Sequence, residues 1–459
     1  MNINHLQRVE LYKIHNRYNL SVDFRSGLNV IHGKNGAGKS TLIHIIANIV
    51  NGDFIRFSYL VFDEIIAKFN NGLVVNIRRE KVGNDVSIMV ALSTGDGITF
   101  TVSDAISALR ELDEERYPND VRPSLILAIN KFVKANELNN VPSSYFPAFR
   151  TMLEAWGAYA PDGYERRNYK SSYSSNKINK FARELFGRFL PNINYPSPFE
   201  IEDRIREEIR RAQIGIARYE STIFSESFVK VFTALINRDP LDGVAPQELL
   251  SEIEGLTTAQ DSAVKINYYE EYSKIYDEIR NVINNNYRGD MESSVAGALA
   301  VYRDALKERQ LYQKKSYAEI DRYLSSVNSF LEDKEIDYQF DIEKRNPRVG
   351  LKFPDDTWSS IRVMSSGERQ LLTMLYAASK MNNDALVLID EPEISLHIDW
   401  QEELLEKMLS QLSEQQIIVC THSPSIATGY EDCMISINPE FVSSRKYIED
   451  LDFDEDESL

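Results

Sequence analysis

Residues Ile31–Thr41 read IHGKNGAGKST, and their spacing decides the fold. Gly33, four further residues and then Gly38-Lys39-Ser40 match G-x-x-x-x-G-K-[ST], a loop whose backbone N–H groups wrap phosphates. Glycine at 33, 36 and 38 lets the chain adopt positive φ and approach a phosphate with no Cβ in the way. Lys39 brings a positive charge to the β- and γ-phosphates, and Ser40 brings a hydroxyl to Mg²⁺. Asn35, Ala37 and Thr41 complete the wrap. Upstream, Leu28-Asn29-Val30-Ile31 reads as a short buried strand; downstream, Thr41 to Val50 reads as a helix, whose N-terminal dipole favours an anion. The bland alternative, an idle glycine-rich turn, accounts for neither flank.

A chain of 459 residues is too long for one small core and implies two or three lobes. Its hydrophobic content of 43% is that of an ordinary folded protein. No apolar run nears the roughly 20 residues that span a bilayer. The opening MNINHLQRVE also lacks the apolar stretch of a signal peptide, so a cytoplasmic protein without a membrane partner is expected. Cys420 and Cys433 lie in apolar segments without metal-type spacing, which suits buried thiols. A net charge of −18 opposes nonspecific attraction to nucleic acid and leaves only a local basic patch open.

Three strands are predicted before the loop: LQRVELYK, YNLSVDF and LNVI. After its helix, Gly72 to Leu92 alternates apolar and polar residues around Gly83-Asn84-Asp85, a hairpin pattern. From Val102 to Glu335 the texture turns helical, with loops at Val141-Pro142-Ser143-Ser144 and Asp239-Pro240. Its longest runs, Phe199 to Arg238 and Met291 to Phe330, suit pairing as a short coiled coil, though no strict heptad is sustained. Tyr164 to Lys180 mixes basic and aromatic residues, as a solvated loop or a nucleic-acid contact would. Strands return with IDYQFDI and RVGLKF, then helices and buried strands alternate to Ile437. The expected organisation is therefore residues 1–101 and 336–440 as two halves of an α/β head, 102–335 as a helical insertion, and 441–459 as an acidic disordered tail.

Ala385 to Glu391, ALVLIDE, is an apolar strand ending in two acids. Asp390 at the strand end suits holding Mg²⁺ through water, and Glu391 suits orienting or deprotonating an attacking water. Alone, such a strand equally ends in an acid that caps the next element; with the P-loop present the catalytic reading gains. Ser365-Ser366-Gly367-Glu368-Arg369-Gln370 opens an apolar helix, either as phosphate donors or as a plain N-cap. Ile417 to Pro424, IIVCTHSP, is a further buried strand ending at His422, which reaches a γ-phosphate if it shares a sheet edge with Asp390.

In this order the residues resemble the ABC-type ATPases, in the branch that includes SMC-like repair proteins and OLD-family ATPases. In that resemblance Gly33–Thr41 is Walker A, Ser365–Gln370 the signature, LVLIDEPE Walker B, Ser395-Leu396-His397 part of the D-loop, and His422 the switch histidine. It implies an ABC-type P-loop head, a mixed sheet with an antiparallel part, which binds ATP and Mg²⁺. It also implies a homodimer sandwich, with ATP between one Walker A and the partner's Ser365, Ser366, Gly367 and Glu368. Two departures stand out. No glutamine lies between Gln7 and Gln213, so the usual Q-loop residue is missing or replaced, and Glu393 adds a third acid that competes with Glu391 for the catalytic role.

Three functions suit such a head. A DNA-repair ATPase calls for long coiled coils and a basic face, whereas this insertion is short and the chain acidic. A transporter subunit is smaller, with its signature nearer Walker A. The lead VELYKIHNRYNLSVDF, the Tyr-rich insertion and DEPEISLHIDWQ are most similar to the ATPases of PARIS anti-phage systems, with Septu ATPases the next likeness. That resemblance implies a homo-oligomeric scaffold, a Toprim-type nuclease as partner and a phage protein as trigger. No nuclease motif is found in the chain itself.

Overall fold

The computed structural model describes residues 5–83, 85–113, 123–138, 143–148, 171–193, 198–237, 246–258, 277–278, 281, 292–341, 346–380, 386–411 and 415–442. The acidic tail from 443 and the first part of the Tyr164–Lys180 run, to Lys170, lie outside them; the rest of that run, expected to be a loop, is helical from Ser171. Two compact units form, Met1–Ser197 with Ser366–Leu459, and Pro198–Ser365.

In the first unit, parallel and antiparallel strands separate into two sheets. Strands β1 (Leu6–Ile14), β2 (Tyr18–Asp23) and β3 (Leu28–His32) are the three expected before the P-loop. β4 (Glu64–Phe69), β5 (Val74–Val82), β6 (Asp85–Leu92) and β7 (Gly97–Thr101) continue as a meander, with β5 and β6 joined at Gly83 as the hairpin pattern predicts. β1, β2 and β4–β7 form an antiparallel sheet that buries one face, as alternation of Val9, Leu11, Ile65, Ile77 and Ile88 dictates.

The second sheet is wholly parallel. It places β3 between β14 (Met434–Ser436) and β13 (Gln416–Thr421), followed by β12 (Leu386–Asp390) and β8 (Ser143–Phe146) at the edge. β12 and β13 are buried at every position, which is why they read as unbroken apolar runs. Helix α1 (Lys39–Val50) follows β3, with Leu42, Ile43, Ile45, Ile46 and Ile49 all buried. A polar clamp joins the sheets: Gln416 Nε2 donates to the carbonyls of Leu6 and Arg25 at 2.7 Å each, and its Oε1 accepts from Leu6 N at 2.8 Å.

β8 corrects the sequence reading, which made Val141–Ser144 a loop inside the insertion. Its residues pair in parallel register with Leu386–Ile389. A short, proline-led edge strand gives little local signal, because an edge needs only one ladder of hydrogen bonds. Helices α2 (Val102–Asp113), α3 (Ser124–Ala135) and α4 (Ser171–Phe186) belong to this unit too. Ala105, Leu109, Ile129 and Val133 bury into the same core as α1. The division thus falls at 197/198 and 365/366 rather than at the composition changes near 101 and 335.

His44 on α1 is half-buried, its Nε2 2.7 Å from Tyr145 Oη on β8. Burial pushes its pKa down from 6.5 to about 4. Below pH 6.5 the unfolded chain takes up a proton that the folded chain refuses, so stability is lost as pH falls from 6.5 to 4. The loss is about 3 kcal/mol over that interval. We expect urea midpoints at pH 7.5 and 5 to converge in His44→Gln; an unchanged pH dependence in the variant would assign the acid sensitivity elsewhere.

The second unit is built on two long helices, α5 (Pro198–Asn237, 40 residues) and α7 (Glu292–Asn328, 37 residues). Tyr219 stacks on Tyr312 at 3.9 Å, Glu220 pairs with Arg309 at 2.9 Å, and Phe224 meets Tyr302. Rising numbers on one helix meet falling numbers on the other, so the pair is antiparallel. Leu249 and Ile253 of α6 (Pro246–Thr258) pack on Leu299, Ala300 and Leu306. A small antiparallel sheet of β9 (Glu335–Asp341), β10 (Asn346–Lys352) and β11 (Trp358–Ser359) completes it.

Candidate functional site

Strand order brings the motifs together. β3, β13 and β12 run side by side in parallel, so the segments leaving their C-terminal ends meet at one sheet edge. These are the P-loop, Thr421–Pro424, and Glu391–His397.

Gly36 and Gly38 adopt the left-handed φ values of 78° and 89° that the P-loop reading requires. At Gly38 space demands glycine as well, because a Cβ there would lie 2.3 Å from the hydroxyl of buried Tyr18 on β2. Gly38 is the N-cap of α1 and no side chain caps the helix. The first-turn N–H groups are therefore a ready cradle for phosphate oxygens. Lys39, 5% exposed, curls back over the loop, its Nζ donating to Gly33 O at 2.9 Å and Lys34 O at 3.3 Å. Neutral carbonyls hold an ammonium weakly beside what a phosphate offers, so these contacts suit exchange for an anionic ligand.

Nζ also lies 3.2 Å from His422 Nδ1, and His422 Nε2 lies 3.4 Å from Glu391 Oε1. An ammonium faces one ring nitrogen and a carboxylate the other. These partners assign the tautomer with its proton on Nε2, leaving Nδ1 to accept from Lys39. Lys39, His422 and Glu391 thus form one row across the sheet edge.

Asp390 closes β12, 4% exposed, beside Cys420 in the ladder. Glu391 turns the chain with φ of 47°, its N–H donating to Cys420 O at 2.8 Å. A non-glycine residue in this region carries strain that clusters at functional sites. Cys420 is buried, and burial, with help from Asp390, raises its thiol pKa well above normal, so it stays an inert thiol. Cys433, expected to be buried, is partly exposed.

Glu393 does not join the row. Its Oε1 accepts from Thr421 Oγ1 at 2.8 Å, His422 N at 2.6 Å and Ser423 N at 3.0 Å. Ser423 Oγ donates to Gln401 Oε1 at 2.7 Å, and Gln401 Nε2 to Leu396 O at 3.1 Å. Gln401 sits on α9 (Ile398–Gln411), and sequence reasoning gave no role to it, to Thr421 or to Tyr18. Their residue types carry no signal without the fold.

Ser366, Gly367 and Glu368 open α8 (Ser366–Lys380), with Ser365 just before it. Gly367 backs onto Ser395, where a Cβ would come within 2.5 Å of the carbonyl oxygen, and Gln370 Nε2 donates to Pro392 O at 2.7 Å. The start of α8 is therefore seated on the segment that follows Asp390. Ser40 in the first turn of α1 and Asp390 at the end of β12 are the hydroxyl and carboxylate that suit Mg²⁺, which keeps most of its shell as phosphate oxygens and water.

The family described as AAA ATPase domain matches residues 12–427 of this chain. Among curated proteins, the DNA double-strand break repair Rad50 ATPase of Aeropyrum pernix is 51% identical over 41 residues, 9% of this chain. That match covers 4% of the relative's own length. Among solved structures, the Smc head domain of Pyrococcus furiosus with an extended coiled coil, bound to the C-terminal domain of ScpA, is similar with a TM-score of 0.40 and 13% identity. It is covered to 96% and covers 95% of this chain. The Smc head domain of Pyrococcus yayanosii with a coiled coil and joint has a TM-score of 0.35 and 14% identity over 97% of its length and 96% of this chain.

Proposed function

The chain belongs to the AAA ATPase domain family and is an ATP hydrolase, and from that premise we propose that it is the sensor and scaffold of an anti-phage defence system. In this reading it resembles AriA, the ATPase of PARIS systems. It forms a homodimer or larger homo-oligomer, holds a separately encoded Toprim-type nuclease inactive, and releases it when a phage protein is sensed. It works in the cytoplasm; no helix among the described residues is long and apolar enough to cross a membrane.

The observation that carries the reading is the row Lys39–His422–Glu391 in a unit distinct from the helical one. The chemistry at such a row yields only ADP and phosphate, so its value lies in a change of shape that something else reads. The P-loop N–H groups from Asn35 to Thr41 and Lys39 bind the phosphates, with Mg²⁺ on Ser40 and Asp390. Glu391 orients the attacking water, and His422 contacts the γ-phosphate. Ser365, Ser366, Gly367 and Glu368 of a second copy close over the nucleotide in this reading, and within each copy Gly367 and Gln370 brace the start of α8 on the segment after Asp390.

The match to a Rad50 ATPase favours a second reading, an SMC-like DNA-repair ATPase acting with a nuclease on DNA ends. The net charge of −18 weighs against it. Expression with and without the neighbouring gene separates them. We expect that gene's product to co-purify with this chain, and phage plating to fall by orders of magnitude only when both are present and Lys39 is intact. Full protection by the ATPase alone, or a neighbour that never co-purifies, rejects the scaffold and leaves the repair reading.

A further inference from the structure

Two acids follow Asp390, and their surroundings differ in kind. Glu391 is half-buried and lies against His422. Glu393 spends Oε1 on three donors, two of them successive backbone N–H groups. That oxygen has no lone pair left for a water. Its Oε2 is closed to solvent and has no hydrogen-bond partner among the described residues. A general base must come within hydrogen-bond reach of the water it activates, and at Glu393 one oxygen is filled by three donors while the other is closed to solvent.

We propose that Glu393 is a positioning residue, which fixes the loop bearing His422 and takes no proton itself. The loop is gripped from two sides: Glu393 holds Thr421, His422 and Ser423, while Gln401 holds Ser423 and ties back to Leu396. Leu396 N in turn donates to Glu393 O at 3.0 Å, so residues 393–401 form one closed bracket around the His422 loop. The same bracket carries Ser395, on which Gly367 rests. A shift of the signature helix is thereby transmitted to the imidazole beside Lys39. The assignment rests on reading His422 as the γ-phosphate contact.

The amide oxygen of glutamine can accept the same donors, whereas alanine cannot. Steady-state ATP hydrolysis by the full chain with Mg²⁺ is measured for Glu393→Ala, Glu393→Gln, His422→Ala and the Glu393→Ala/His422→Ala pair. Glu393→Ala should lose roughly 10-fold or more in kcat with KM for ATP within about threefold, and Glu393→Gln should keep at least about half the rate. The pair should be no slower than His422→Ala alone, since one residue acts through the other. A Glu393→Gln as slow as Glu393→Ala would make the carboxylate itself the working group and overturn the proposal, as would a wild-type rate in Glu393→Ala or multiplying losses in the pair. Wild-type turnover by His422→Ala would instead remove the γ-phosphate reading, and it is told apart because Glu393→Ala is then compared with an active control. Should Glu393→Ala fail to fold by thermal melting, Thr421→Val removes one of the three donors with little change of shape, and an undiminished kcat there rejects the bracket.

Discussion

Lys39→Ala is expected to reduce ATP hydrolysis by at least ~100-fold, with binding of a fluorescent ATP analogue weakened in parallel. The ammonium occupies the centre of the loop, buried and in contact with Gly33 O, Lys34 O and His422 Nδ1. Among the described residues the structure gives the P-loop no other cation at that point. Arginine is no substitute, because its planar fork needs more room than this closed nook offers. The truncation also leaves two carbonyls and an imidazole nitrogen short of a donor, so a loss of stability of about 1–3 kcal/mol accompanies it. Thermal melting separates the two effects: a folded protein that fails to hydrolyse ATP is the expected result. Near-normal turnover by a folded Lys39→Ala would show that the phosphates bind elsewhere.

The parts of this site that could be read from sequence are those in which function is local. The P-loop, the strand ending at Asp390 and the strand that ends at Thr421, one residue before His422, each pack chemistry into contiguous residues, and they lie on or just beyond adjacent parallel strands. Pairing across distance carries no such signature. β8 belongs to the head because Ser143–Phe146 meets Leu386–Ile389, and nothing between residues 141 and 146 announces a partner more than 200 positions away. The clamp of Gln416 on Leu6 and Arg25 is invisible for the same reason. The two long helices were legible as helices, but their antiparallel pairing rests on Tyr219, Tyr302 and Tyr312, whose aromatic character alone says only that something packs there. Glu393 shows the limit most clearly. By position it rivals Glu391, and only its three donors set it apart.

Glu391→Gln should leave ATP binding intact while slowing hydrolysis by roughly 100- to 10,000-fold, the range that a positioned acid or base contributes. The substitution keeps side-chain length, and glutamine meets the left-handed backbone at this position at the same cost as glutamate, so the turn itself survives. What disappears is the negative charge 3.4 Å from His422 Nε2 and with it the carboxylate's ability to draw a proton from a water, while an amide oxygen remains as an acceptor. With chemistry stalled and both phosphate cradle and signature intact, the ATP-bound dimer should accumulate, visible as an ATP-dependent doubling of mass by analytical ultracentrifugation. Wild-type protein under the same conditions should return to its starting size as ATP is consumed. The two acids then answer each other. Rapid hydrolysis by Glu391→Gln together with a dead Glu393→Gln would make Glu393 the working acid, despite an Oε1 filled by three donors and an Oε2 closed to water. The opposite pattern assigns the water to Glu391 and leaves Glu393 to hold the histidine in place.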